Sequence, residues 1–142
     1  MKANQNFGVA VHILIYLKLN EPNYITSQDL AESINTNPVV IRRILKQLAI
    51  NNLVITKQGR FGSKINSEIN DITFYDVYNI FYEDNILNAK SNPNPKCVIG
   101  SKINNILCKK LNSVQEKYLE SLKMFSINDL IKEIKEGENK WK

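Results

Sequence analysis

Residues 35–65 read NTNPVVIRRILKQLAINNLVITKQGRFGSKI, and the order of residue types along them decides the fold. Asn37-Pro38 opens a helix: the Asn side chain accepts from an orphan backbone amide, and Pro at the first helical position loses no hydrogen bond. The pattern predicts a helix from Pro38 to about Ile50. Its aliphatic side is Ile41, Ile44, Leu45 and Leu48, which leaves Val39, Val40, Arg42, Arg43, Lys46 and Gln47 for another surface. Asn51-Asn52 can supply the left-handed residue that ends it. Leu53 to Thr56 then reads as a strand, Gln58 to Gly62 as a turn and Ser63 to Asn66 as the return strand. A hairpin thus follows directly on a basic helix.

Upstream, Tyr24-Ile25 is a short extended piece, and Thr26 or Ser27 can cap a helix over Gln28–Ile34, with Asn35 to Asn37 as a tight turn. Two short helices joined by three residues, the second basic on its free side, form a helix-turn-helix whose second member enters the major groove. The hairpin is then a wing. Its glycines let the backbone approach closely, and Arg60 and Lys64 are placed to meet phosphate or reach the minor groove. Arg42, Arg43 and Lys46 are candidate DNA contacts on the helix, with Ser27 and Gln28 at the start of its partner helix. Phe61 has two readings: an apolar wedge against sugars, or a residue packed beneath the wing.

The charge distribution agrees. The chain has 19 Lys and Arg against 14 Asp and Glu, a net +5, which on its own says little. Between Glu32 and Glu68, however, there is no acid, and Arg42, Arg43, Lys46, Lys57, Arg60 and Lys64 all fall there. That asymmetry is the footprint of a surface facing a polyanion. At 43% apolar and 23% charged residues, the 142-residue chain is long enough to bury a core without a disulfide framework.

An opening helix over about residues 5–19 places Phe7, Ala10, Val11, Leu14 and Leu17 on one stripe, with His12 beside it as a structural residue. The apolar run contains that His, is followed by no small-residue cleavage site and is too short to span a bilayer, so a core helix in a cytoplasmic protein is expected, with no membrane partner. Downstream, Thr73 caps a helix over Phe74–Tyr82 with Asp76 as the acidic partner, and Phe74, Val77, Tyr78 and Phe81 are expected in the core. The first unit is thus residues 1–84, with a linker over 85–98 around SNPNPK.

Beyond the linker, residues 99 to 123 read as one long helix of about 37 Å. Ile103, Leu107, Leu111, Val114, Tyr118 and Leu122 recur at helical spacing, a stripe for which a second subunit is the natural cover. Ser126 with Asp129 starts a final helix over Ile127–Lys135 that closes the segment 99–136, and a frayed tail is expected over 137–142. The fold class is therefore mainly α with a small β-hairpin wing.

ITSQDLAESI, VVIRRILKQLAINNLV, KQGRFGSKI and ITFYDV, followed by CVIGSKI, the long helix and SINDLI, together resemble the Rrf2 family of bacterial transcription regulators over nearly the whole chain. The resemblance implies a homodimer formed through the long helix, acting on a palindromic double-stranded DNA operator, usually as a repressor. By position it implies DNA contacts at Asn37, Val39, Val40 and Arg42 and, in the wing, at Gln58 and Arg60. Family wings are commonly richer in glycine with an aromatic after them, whereas Phe61, Ser63 and Lys64 stand here. Cluster-binding members carry three closely spaced cysteines before the long helix, where this chain has only Cys97; the ligand set for an iron–sulfur cluster is incomplete, and no cofactor or metal is expected.

Cys97, beside Lys96 at a helix start, has the setting of a depressed thiol pKa and is the candidate sensor, a structural role being the other reading. Cys108 borders the apolar stripe as a small buried hydrophobe. No CxxC pair, phosphate loop or paired acid and base supports an enzyme. A different class, a winged-helix module whose Arg42, Arg43 and Arg60 meet an acidic protein, uses the same surface.

Overall fold

The computed structural model describes residues 5–59, 61–82, 87, 89 and 92–140. Six helices and one two-stranded antiparallel sheet follow in the order α1 (Asn6–Leu19), α2 (Ser27–Ile34), α3 (Pro38–Ile50), β1 (Val54–Lys57), β2 (Gly62–Ile65), α4 (Phe74–Phe81), α5 (Val98–Lys123) and α6 (Ile127–Lys140).

The helix starts are set by side-chain caps. Thr26 accepts from the Asp29 amide, Asn37 Oδ1 from the Val39 amide at 2.9 Å, and Thr73 and Asp76 form a reciprocal capping box. Asn35, at φ 60°, ends α2 in the left-handed region, and Asn52, at φ 62°, turns the chain out of α3 into β1. The sheet register pairs Val54 with Ile65 and Lys57 with Gly62, leaving Gln58, Gly59 and Phe61 at the wing tip.

The core is built around α1. Ala10, Ile13, Leu14 and Leu17 are fully buried, so α1 is covered on more than the single stripe that the spacing predicts; Ile13 lies outside that stripe, and Phe7 is only half-buried, edge-on to Phe74 at 5.5 Å. The reason is that α2, α3, α4, α6 and β2 all pack on this helix. Leu30, Ile41, Ile44, Leu48 and Val77 complete its surroundings, each fully buried aliphatic stabilising by about 1.5–3 kcal/mol. His12 stays on the surface with Nε2 3.1 Å from Ser33 Oγ, a structural contact.

Two further links hold distant segments together. Ile25 pairs with Ser63 through both backbone bonds, 2.7 and 2.8 Å, which adds a one-residue third strand to the wing. The start of α6 is tied back at Thr73 and Ser126, and Ile127 and Ile131 join the core beside α1. Helix α6 continues to Lys140 where the sequence pattern predicts an end near Lys135: Gly137 meets nothing within 4 Å, and a single unhindered glycine costs a helix only about 1 kcal/mol. Part of the predicted linker, and the last two residues of the predicted tail, lie outside the described residues. Among the described residues no helix is long and apolar enough to cross a membrane.

Candidate nucleic-acid interface

Helix α3 separates its two faces as a reading helix must. Ile41, Ile44, Leu45 and Leu48 are buried, while Arg42, Arg43, Lys46 and Gln47 are exposed and Val39 presents 63% of its surface. Val40 departs from the expected free face: it is half-buried and packs against the core. Asn37 is exposed, but its Oδ1 is committed to the helix cap, which leaves its amide NH2 group free to donate outward. Gln28 is exposed at the start of α2 and Ser27 half-buried beside it.

None of the cations Arg42, Arg43, Lys46, Lys57 and Lys64 is in an ion pair; among the described residues the single salt bridge is Lys18 to Glu21 at 3.2 Å, on α1 and the turn after it. Protonated side chains left without a counter-charge on one face raise a positive potential there and attract a polyanion.

On the wing, Gln58 is exposed and Lys64 half-buried, and Arg60 lies outside the described residues. Phe61 is 60% exposed, so it does not pack beneath the hairpin. Its ring instead lies 4.8 Å from the Lys57 ammonium. Tyr24, next to the Ile25–Ser63 bridge, has Lys64 at 5.1 Å and Lys57 at 5.7 Å from its ring centroid. Lys57 and Tyr24 are absent from the contacts that the sequence reading selects. Lys57 could have been found from the acid-free window; Tyr24 could not, because its role depends on a backbone pairing 38 residues away.

Beyond the winged unit, helix α5 packs on α4, yet among the described residues it contributes none to the buried core. Of the predicted stripe, Leu107, Leu111 and Leu122 are half-buried, whereas Ile103, Val114 and Tyr118 are exposed at 37%, 51% and 41%. Cys97 is the N-cap residue of α5, exposed and without a formed side-chain cap bond. The free backbone amides of Gly100 and Ile99 hold its thiol below the ordinary value, the helix-terminus effect expected for a thiolate. Cys108 is exposed in the single chain, contrary to the buried position that its place beside the stripe predicts, because none of the described residues covers that side of α5.

A helix-turn-helix with a wing and an uncompensated cationic reading face defines a DNA-binding transcription regulator. The chain belongs to the Rrf2 family: residues 3–133 match its sequence profile, described as an iron-dependent transcriptional regulator. It is 33% identical over 129 residues to YwnA of Bacillus subtilis (strain 168), named as a candidate HTH-type transcriptional regulator, with 90% of this chain and 96% of YwnA aligned. A crystal structure of a candidate DNA-binding protein, 30% identical, superposes with a TM-score of 0.70 over 89% of this chain and 98% of that one. CymR, the global cysteine regulator of B. subtilis, shares the fold at 17% identity, with a TM-score of 0.64 over 93% of this chain and 97% of CymR. The chain is accordingly a transcriptional regulator and not an enzyme.

Among the described residues the donors do not fit an iron–sulfur cluster. Cys97 and Cys108 stand eleven residues apart along α5, about 16 Å by helical rise, and among the described residues no three His, Cys, Asp or Glu side chains converge.

Proposed function

We propose that this protein is a homodimeric, operator-specific repressor that reads a partly palindromic DNA site through α3 and the wing and answers oxidants or electrophiles through Cys97. The observation that carries the reading is the unpaired cationic face of α3 beside the wing, with no acid between Glu32 and Glu68. Arg42, Arg43 and Lys46 face the major groove, Asn37 and Val39 lie at the helix start where base edges are met, and the wing, with Gln58, Arg60 and Lys64, follows the neighbouring backbone. Helix α5 supplies the two-fold contact. Cys97 sits at the point where its start joins the preceding loop, so a modified thiol there would act on the relative placement of the two reading helices.

The test is binding of purified, reduced protein to the DNA upstream of its own gene, titrated in salt and repeated after mild oxidation. Selective binding is expected, with affinity falling steeply as salt rises. Loss on oxidation that disappears in Cys97→Ser establishes the thiol response, and unchanged binding refutes it. Binding that is unselective, or insensitive to salt, refutes the operator reading and favours an acidic protein as the ligand of the same face.

A further inference from the structure

We propose that the cleft between α3 and the wing is a seat for a phosphate group, with Lys57 as one of its three cations and Tyr24 and Phe61 as the residues that position it. This deepens the DNA-binding reading and rests on it for one of two phosphate sources, the phosphodiester backbone; the other is a free phosphate-bearing molecule.

The cleft has a volume of about 350 Å³, and every charged residue that lines it is a cation: Arg42 and Lys46 from α3 and Lys57 from β1. The hydroxyl-bearing Ser27 and Thr56 line it as well, and Leu45 and the buried Ser63 close its floor. Three ammonium or guanidinium groups around one cavity repel one another, and among the described residues none has a carboxylate partner. An anion removes that repulsion and meets donors from both walls at once. The cavity is larger than a single phosphate, which leaves space for an attached sugar.

Lys57 borders the cleft, and its ammonium lies against two rings, Phe61 and Tyr24, that stand outside the cleft lining. The ammonium is 4.8 Å from the Phe61 centroid and 5.7 Å from that of Tyr24, and Tyr24 also carries Lys64 at 5.1 Å. An aromatic face attracts a cation without neutralising it, so these rings confine the lysines and leave their full charge available to a phosphate. The backbone beside Tyr24 is itself fixed, because the adjacent Ile25 both donates to and accepts from Ser63. Confinement in the free protein lowers the ordering cost of binding. It also accounts for a phenylalanine that is 60% exposed at the wing tip.

The experiment compares the full chain with Lys57→Gln, Tyr24→Leu and Tyr24→Phe. One arm measures the salt dependence of binding to the upstream DNA. The other measures thermal midpoints in inorganic phosphate against chloride at equal ionic strength. Lys57 is an exposed strand residue, so Lys57→Gln is expected to keep the fold, which circular dichroism checks. If the phosphodiester occupies the seat, Lys57→Gln lowers the magnitude of the salt slope by about 0.9 per subunit, about 1.8 for a dimer on its operator, and the affinity by roughly 60-fold at 0.1 M salt. Tyr24→Leu then shares the fall in slope and Tyr24→Phe restores it, whereas a purely structural Tyr24 would move the midpoint alone. If a free phosphate compound is the occupant, phosphate raises the midpoint of the parent chain and not that of Lys57→Gln, with DNA slopes unchanged. Equal slopes together with no phosphate-specific stabilisation overturn the proposal. A parent chain that binds no DNA selectively overturns the operator reading instead, and the phosphate arm still decides on the seat.

Discussion

At Gly62 the wing has room for a hydrogen and nothing larger. A Cβ built there would lie 2.1 Å from the Ile25 carbonyl oxygen and 2.9 Å from the Thr26 amide nitrogen, and the residue holds φ at +88°. Both constraints come from the third strand: the Ile25–Ser63 bonds draw the two backbones together at the neighbouring residue. Gly59 makes the control, since it shares a positive φ of +91° but its Cβ would only touch the Phe61 ring at 3.7 Å. The left-handed conformation alone costs an alanine about 1–2 kcal/mol. Gly59→Ala is therefore expected to lose about 1 kcal/mol, and Gly62→Ala clearly more, about 3 kcal/mol, because the bridge must part as well. Denaturant unfolding checks this: the midpoint should shift in that order with an unchanged slope, and equal losses at the two glycines would show that the close approach of Ile25 contributes nothing.

The interface between α4 and α5 shows what a single element adds. Tyr78 stacks on Tyr82 at 4.8 Å and meets Tyr118 edge-on at 5.6 Å. Burial is the main cause that raises the Tyr78 phenol above its ordinary value of 10.0, with Tyr118 adding to it and a hydrogen bond with Gln115 opposing it. Tyr82 is raised by burial first and then by Tyr118 and Tyr78. A folded-state pKa above the unfolded one favours the neutral phenol in the fold. The contribution to stability is then fully present below pH 10 and lost as pH rises through the raised values. Ultraviolet titration of the native protein should show tyrosines ionising above the ordinary value, with thermal stability falling over that same range. Tyr78→Phe should flatten that fall, and an unaltered profile would remove the phenols from the account. At this scale the sequence was most legible where the signal is local. The Asn37-Pro38 start, the Thr73–Asp76 box and the two faces of α3 each depend on residues within one or two turns. It was least legible where a contact is made across the chain. Tyr24-Ile25 is too short to carry a strand pattern of its own, the burial of Ile13 needs neighbours on several sides of α1, and the return of α6 onto α1 has no periodicity to announce it. The candidate site divides in the same way: its cations are legible from the acid-free window, whereas the half-burial of Val40 and the lysine–aromatic array are not.

For the molecule as a whole, one apolar face of α5 is left uncovered by the described residues. Ile99, Ile106 and Val114 expose 71%, 58% and 51% of their surface and Ile103 37%, an apolar strip on a helix of 26 residues. Exposed apolar strips of this kind mark sites of interaction, and under the proposed two-fold axis each copy would cover the other with the same residues. The same axis would set two α3 helices on one side of the assembly, where a half-site separation of one helical turn of DNA, about 34 Å, matches a palindrome. Sedimentation at micromolar concentration should accordingly report a particle of twice the 16.3 kDa chain mass. Ile103→Glu combined with Ile106→Glu would bury four carboxylates across the axis, each costing at least about 2 kcal/mol without a partner. The doubly substituted protein should sediment as a monomer with its helix content retained, because neither residue contributes to the described core. Its affinity for a full operator should fall to that for a single half-site. A monomeric parent chain would refute α5 as the two-fold contact, and a dimer that survives both substitutions would move the axis elsewhere, to the exposed Met124 and Phe125 at the far end of the same helix.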